Sequence, residues 1–153
     1  MIRRVPHSSE TNLNQLQFGV VAAMTVPQPR ANDIAGGRSS IEIRHWSTDY
    51  RGPLIIASAR APATGSGPFG CAVAIAELTD CRPYRNTDED HLASGGVPWN
   101  PAHTAFVLNR VRRLTKPQPI DDGDHLYLVE MPATMLAFLE GDSSADHGEP
   151  APA

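Results

Sequence analysis

The apolar and polar positions of this chain alternate between two kinds of run. Phe18 to Val26 (FGVVAAMTV), Pro53 to Ala59 (PLIIASA) and Phe69 to Leu78 (FGCAVAIAEL) are apolar at nearly every position. Such runs fit strands covered on both faces. Ser39 to Trp46 (SSIEIRHW) instead alternates strictly. This predicts a half-buried strand with Ile41 and Ile43 inward and Ser40, Glu42, Arg44 and Trp46 outward. Thr104 to Leu114 and His125 to Val129 complete six predicted strands.

Helical signals are few. Residues 28–37 (QPRANDIAGG) follow a proline stop and end in Gly36-Gly37, a break able to cap a short helix. Pro132 to Leu139 begins with proline, is followed by Gly141, and sets Met135 and Leu139 on one face, predicting a terminal helix. The remainder is turn and loop: STDYRG at 47–52, PATGSGP at 62–68, and a polar excursion at 82–101 with a helical turn near Asp88–Ala93. Few connections are long enough for parallel crossovers. The expected class is therefore α+β, mostly β: a small mixed or antiparallel β-barrel with one early short helix and a C-terminal helix. Residues 1–16 read as a flexible arm, 17–140 as one domain, and 141–153 as a disordered acidic tail.

Composition adjusts this picture in three places. The net charge of −4 divides unevenly. Residues 1–116 carry all 13 basic side chains against 9 acidic ones (+4), whereas residues 117–153 carry 8 acidic and none basic (−8). Twelve of the 13 basic residues are Arg, the residue suited to bidentate phosphate contacts and to stacking on bases, although a GC-rich genome gives the same bias. Cys71 and Cys81 make no CxxC or Cys/His ligand pattern and read as structural thiols, so no metal and no cofactor is expected. No apolar run reaches the roughly 18 residues of a membrane span and the N-terminus lacks a signal-peptide core, so a cytoplasmic protein is expected.

Chemistry concentrates between Pro27 and Ser58. Glu42 and Arg44, two residues apart on one strand, can orient and hold a base edge or a phosphate, or form an ion pair that fixes the helix to the barrel. Ser39 and Ser40 follow the glycines and either complete a turn or hold an anion. Trp46 and Tyr50 bracket a turn and either stack on bases or cap the barrel. Arg30, Arg38 and Arg51 surround the same turn, giving a local basic patch. Arg110, Arg112, Arg113 and Lys116 form a second basic cluster, whose plainer reading is a charged strand edge. His91, Trp99 and His103 lie in or beside the excursion, where they can form a lid.

The order of these pieces resembles the ASCH domain family of the PUA-like superfamily. The resemblance is carried by Gln28-Pro29-Arg30-Ala31, by Gly37-Arg38-Ser39-Ser40-Ile41-Glu42-Ile43-Arg44, by His45-Trp46 and by Arg51-Gly52-Pro53-Leu54-Ile55-Ile56. GCAVAIAELTDC, FVLNRVRRLTKPQPI and GDHLYLV extend it over roughly residues 18–130. It implies a PUA-like barrel whose cleft beside the helix binds RNA or other nucleic acid, through Arg30, Arg38, Ser39, Ser40, Glu42, Arg44, Trp46, Tyr50 and Arg51 here. Some bacterial members resemble amidohydrolases acting on acetylcytidine through a Lys and a Thr of the motif. Those positions hold Ser39 and Glu42 in this chain, and Arg30 stands where the family has Trp. The leading expectation is thus a binding module for RNA or a modified nucleoside. The alternative is a hydrolase of RNA or of a nucleoside amide, with Glu42 as base, Arg44 as anion stabiliser and Ser40 beside them.

Overall fold

The computed structural model describes residues 1–5 and 19–139; the greater part of the expected N-terminal arm and the acidic tail lie outside the described residues. Six strands form one curled sheet, a half-barrel: β1 (Val20–Val26), β2 (Ile41–Arg44), β3 (Gly52–Ser58), β4 (Cys71–Pro83), β5 (Thr104–Pro119) and β6 (Leu126–Glu130). Their order across the sheet is β2-β5-β4-β3-β1-β6. Every neighbouring pair is antiparallel except β1 and β3, which run parallel with Ala22 opposite Leu54 and Val26 opposite Ser58.

The continuous apolar runs have a simple cause: both faces of the central strands are covered. Ala22, Met24 and Val26 of β1, with Leu54 and Ile56 of β3, point into the concave core beside Leu78, Phe106 and Leu108. The intervening Val21, Ala23, Ile55 and Ala57 pack on the convex side against Ile120, Tyr127 and Val129. That convex layer is closed by Ile2, 1% exposed, and by Met135 and Leu139 at the end of the chain. Residues 1–5 are therefore docked, with Ile2 bridged to Ile120 and Arg4 to Val129. The expected terminal helix is a 3-10 turn, Ala133–Phe138, and Met135 and Leu139 do share its buried side.

Helix α1 (Arg30–Ala35) plugs the concave side. Six residues are too few for a helix to hold itself in water, so packing and capping must support it. Ala31 and Ile34, one turn apart, are fully buried. Pro29 occupies the N-cap position and offers no side-chain acceptor; Gln28 supplies it instead, its Oε1 accepting from the Asn32 backbone N–H at 3.0 Å. Gln28 Nε2 also donates to the Pro68 carbonyl and Asn32 Nδ2 to the Gly67 carbonyl, tying α1 to the 62–68 loop. Gly37, at φ +81°, takes the left-handed conformation that turns the chain out of the helix.

A second helix, α2 (Asp88–Ala93), lies in the excursion between β4 and β5. Arg82 pins it with two hydrogen bonds to Asp90, at 2.7 and 2.9 Å. These bonds hold the Asp90 carboxyl below the usual carboxylate range. Cys71 and Cys81 are free thiols at the two ends of β4. Ten residues of extended chain separate them by about 33 Å, far beyond disulfide reach.

Candidate functional site

The alternation across 39–46 sorts the side chains correctly, but its two faces are exchanged in meaning. Ile41 and Ile43 face outward from the barrel and are covered by the excursion, packing with Tyr84, Val97, Ala105 and Val107. Glu42 points inward and is 2% exposed, opposite Phe106 in the β2–β5 register. The expected solvent-facing, chemically equipped face of β2 is instead the barrel lining. The physical reason is the long excursion, which supplies an apolar cover for the other face.

A buried carboxylate is costly unless paired and hydrogen-bonded. Glu42 receives Arg30 Nε on Oε1 at 3.3 Å, Arg30 Nη2 on Oε2 at 3.4 Å, and Arg44 Nε on Oε2 at 3.1 Å. A carboxylate has about four acceptor positions, so three donors leave roughly one open. Arg30 reaches in from the first residue of α1 and is 42% exposed; Arg44 comes from the same strand and is 18% exposed. Two guanidiniums around one carboxylate leave a surplus of one positive charge at the mouth of the half-barrel.

Arg44 also donates from Nη2 to the Thr25 carbonyl at the end of β1, at 2.8 Å. β2 is one edge of the sheet, and β1 is next to β6, the other edge. The ion pair therefore stitches the two ends of the curled sheet where they approach. Trp46, just past β2, reinforces the stitch. Its ring lies edge-on to Phe106, centroids 4.8 Å apart, and to His125, just before β6, at 4.4 Å. His125 adopts φ +53°, an uncommon conformation outside Gly, which brings its ring across the seam. Nothing in the spacing of GDHLYLV singled out His125; only the closing of the sheet brings it to Trp46.

The remaining expected residues divide. Ser40 is exposed, its backbone N–H donating to the Ala93 carbonyl and its own carbonyl accepting from Leu108 N–H. Ser39 is 5% exposed and packed under the excursion, where its hydroxyl leaves no room for a β-carbon on Gly95. Tyr50 is buried at 3% exposure and donates from its hydroxyl to the Pro53 carbonyl at 2.6 Å. Burial, aided by the Glu77 carboxylate, pushes its phenol up to about 12. It is a packing residue, and Gly52 (φ +139°) is required beneath it because a β-carbon there would sit 2.9 Å from the Tyr50 hydroxyl. Arg51 turns toward the Thr48 and Tyr50 carbonyls and pairs with Asp80 at 3.6 Å. Arg38 lies at the far end of α1, bonded to Asp33 and the Asn32 carbonyl. Of the nine expected positions, Arg30, Glu42, Arg44 and Trp46 thus converge on the barrel mouth.

The excursion does not close over this mouth. Trp99 donates to the Tyr84 carbonyl at 2.9 Å and, with His91 and Arg85, lines a separate cavity of about 560 Å³. His103 packs edge-on against His45, centroids 4.7 Å apart. Among the described residues no cluster of three His, Cys, Asp or Glu side chains is placed to hold a metal ion, and no helix is long and apolar enough to cross a membrane.

Comparison with known proteins agrees with this architecture. The family model for the ASCH domain matches residues 24–118. Among solved structures, the chain is similar to ASCH from Zymomonas mobilis, with TM-score 0.51 and 11% identity over 78% of this chain and 95% of that one. A mutant form of the same Zymomonas mobilis protein superposes with TM-score 0.54 and 12% identity, covering 78% of this chain and 96% of that one. At such identity these likenesses speak for the fold alone. No curated protein sequence matches significantly. The family match spans more than half the chain, including α1, the Glu42 strand and the β4–β5 pair: the chain belongs to the ASCH domain family, within the PUA-like superfamily.

Proposed function

We propose that the barrel mouth binds RNA or a modified nucleoside, with Arg30, Glu42, Arg44 and Trp46 as its contact residues. The single observation that carries the reading is the Glu42 carboxylate, held inside the mouth by two guanidiniums with about one acceptor position to spare. A carboxylate so placed accepts an amino or imino N–H from a base edge, and Arg30, 42% exposed, donates to a carbonyl oxygen or a phosphate. Trp46 and His125 form an aromatic rim beside it, and base–aromatic stacking contributes about 1–3 kcal/mol per base.

The hydrolase reading has less support. Three guanidinium N–H groups already draw on the Glu42 oxygens, and the one acceptor position left serves a ligand N–H in the binding reading without any proton transfer. Ser39 is packed away, Tyr50 is a buried packing residue, and the Ser40 hydroxyl has no hydrogen bond to a base among the described residues.

Arg30→Ala is the cleaner probe, because Arg44 also holds the sheet closed through Thr25. In a fluorescence-anisotropy titration with single-stranded RNA, Arg30→Ala weakens binding while the thermal transition moves little. Equal affinity of the two proteins argues against the mouth as the binding site.

A further inference from the structure

The basic side chains of this protein fall into two groups. Arg30, Arg38, Arg44, Arg51, Arg60 and Arg82 each have a carboxylate within ion-pair distance. Among the described residues, Arg3, Arg4, Arg85, Arg110, Arg112, Arg113 and Lys116 have none, and the last four sit together on the outer half of β5. Their strand is irregular there. The β4–β5 register shifts between the pairs Glu77–Asn109 and Ile75–Arg112, and again between Ala74–Arg113 and Ala72–Gln118. Arg110 fills the first bulge with φ +52°, a conformation that costs a residue with a β-carbon about 1–2 kcal/mol. Bulges re-aim side chains, and strain of this kind collects where the surroundings hold it for a purpose.

Edge protection alone accounts for charges along a free strand. It does not account for Arg38, which comes from the end of α1 and lines the same cavity, about 250 Å³, as Arg113. Asn32, Gly36, Pro68 and Thr115 are among the other lining residues, none of which is a carboxylate. Arg38 is offset by Asp33 at 3.0 Å, whereas Arg113, among the described residues, has no carboxylate in ion-pair range and so leaves this solvent-open space with a net positive charge that favours an anion. Helix α1 joins the two places: it starts at Arg30, on Glu42, and spans about 9 Å to the turn that bears Arg38.

We propose that the Arg38–Arg113 cavity is a phosphate subsite and that the bulged arm of β5, with Arg110 and Lys116, is a track for the sugar–phosphate backbone of a single-stranded nucleic acid. The proposal takes the partner class from the reading of the barrel mouth but stands on a different set of residues. Its consequence is that the protein binds a strand rather than an isolated nucleoside.

The test uses the full chain and fluorescein-labelled single-stranded RNA of roughly a dozen nucleotides, titrated at several salt concentrations. Arg113→Gln and Arg110→Gly each remove one charge; the glycine also accepts the positive φ, so folding is preserved. Each variant is expected to weaken binding several-fold and to reduce the magnitude of the log–log salt slope by about 0.7, the loss of one phosphate contact. Arg113→Lys is expected to restore the slope. Wild-type affinity and slope in both charge-removing variants, alongside weakened binding in Arg30→Ala, would overturn the track and leave the mouth standing. Reduced slopes with an Arg30→Ala protein that binds normally would uphold the track and overturn the mouth. No binding by the wild-type chain at low salt overturns both.

Discussion

Arg44 donates to the carbonyl of Thr25 at 2.8 Å, and through that bond the first edge strand of the sheet is fastened to the strand that neighbours the last. The same guanidinium holds the buried Glu42. An E-x-R pair in this position therefore has a structural task whatever the ligand. Removing Glu42 leaves the largely buried Arg44 without its counter-charge, which is more damaging than losing a surface pair.

Glu42→Ala is accordingly expected to destabilise the fold by about 3 kcal/mol, measured by urea or guanidinium unfolding. Arg30→Ala, at the exposed end of the same cluster, is expected to cost about 1 kcal/mol or less. Equal costs for the two would mean that the carboxylate is not held from within the barrel.

Tyr50 sets the alkaline limit of one part of the fold. Its folded-state phenol is raised to about 12 from the ordinary 10 by burial and by Glu77. The neutral form is favoured in the folded state, so its contribution is complete below pH 10. It is lost as pH rises from 10 toward 12, where the unfolded chain has released a proton that the folded one retains. Tyr50→Phe removes this loss and, at neutral pH, costs about 1 kcal/mol through the missing bond to Pro53. Stability curves of the two proteins that run parallel across pH 10–12 would contradict the assignment.

Asp90 does the reverse at acid pH. Arg82 lowers its carboxyl, so the stabilisation is present above the ordinary carboxylate value of about 4 and is lost as pH falls through the lowered one. Asp90→Asn is expected to loosen the 84–103 excursion. Hydrogen exchange should then rise in β2, whose Ile41 and Ile43 that segment covers, with little change in β1 and β3. Uniform protection across the sheet in the variant would refute the pinning role.

Trp46 reports on the seam. Trp46→Phe keeps an aromatic edge against Phe106 and His125 but removes the larger face. Its expected effect on RNA affinity is smaller than that of Trp46→Ala, which should lose about 5- to 150-fold if one base stacks there, corresponding to about 1–3 kcal/mol. Equal binding by all three proteins would remove Trp46 from the contact set.

Much of this was legible in the residues. The double-sided strands announced themselves as unbroken apolar runs, and QPRANDIAGG carried its own stop at Gly37. Glu42 and Arg44 were recognisable as a pair. The direction they face was not, because alternation states which residues share a face but not which face is covered. That was decided by the excursion, whose Tyr84 and Val97 lie on Ile41 and Ile43. Tyr50 read as a stacking residue because its partner, the Pro53 carbonyl, becomes visible only once Gly52 has folded the turn beneath it. His125 carried no local signal, since it meets Trp46 from 79 residues further along the chain. The bulges that give β5 its basic arm depend on register with β4, which single-strand patterning does not encode.

Arg30 and Glu42 are proposed as the ligand-facing pair of the barrel mouth. The most direct test of this proposal is the salt dependence of single-stranded RNA binding by the wild-type chain and by Arg30→Gln, read by fluorescence anisotropy. The expected result is a wild-type affinity that falls steadily as salt rises, and a variant that binds more weakly with a shallower slope. Binding that is insensitive to salt, or an Arg30→Gln protein indistinguishable from wild type, would contradict it.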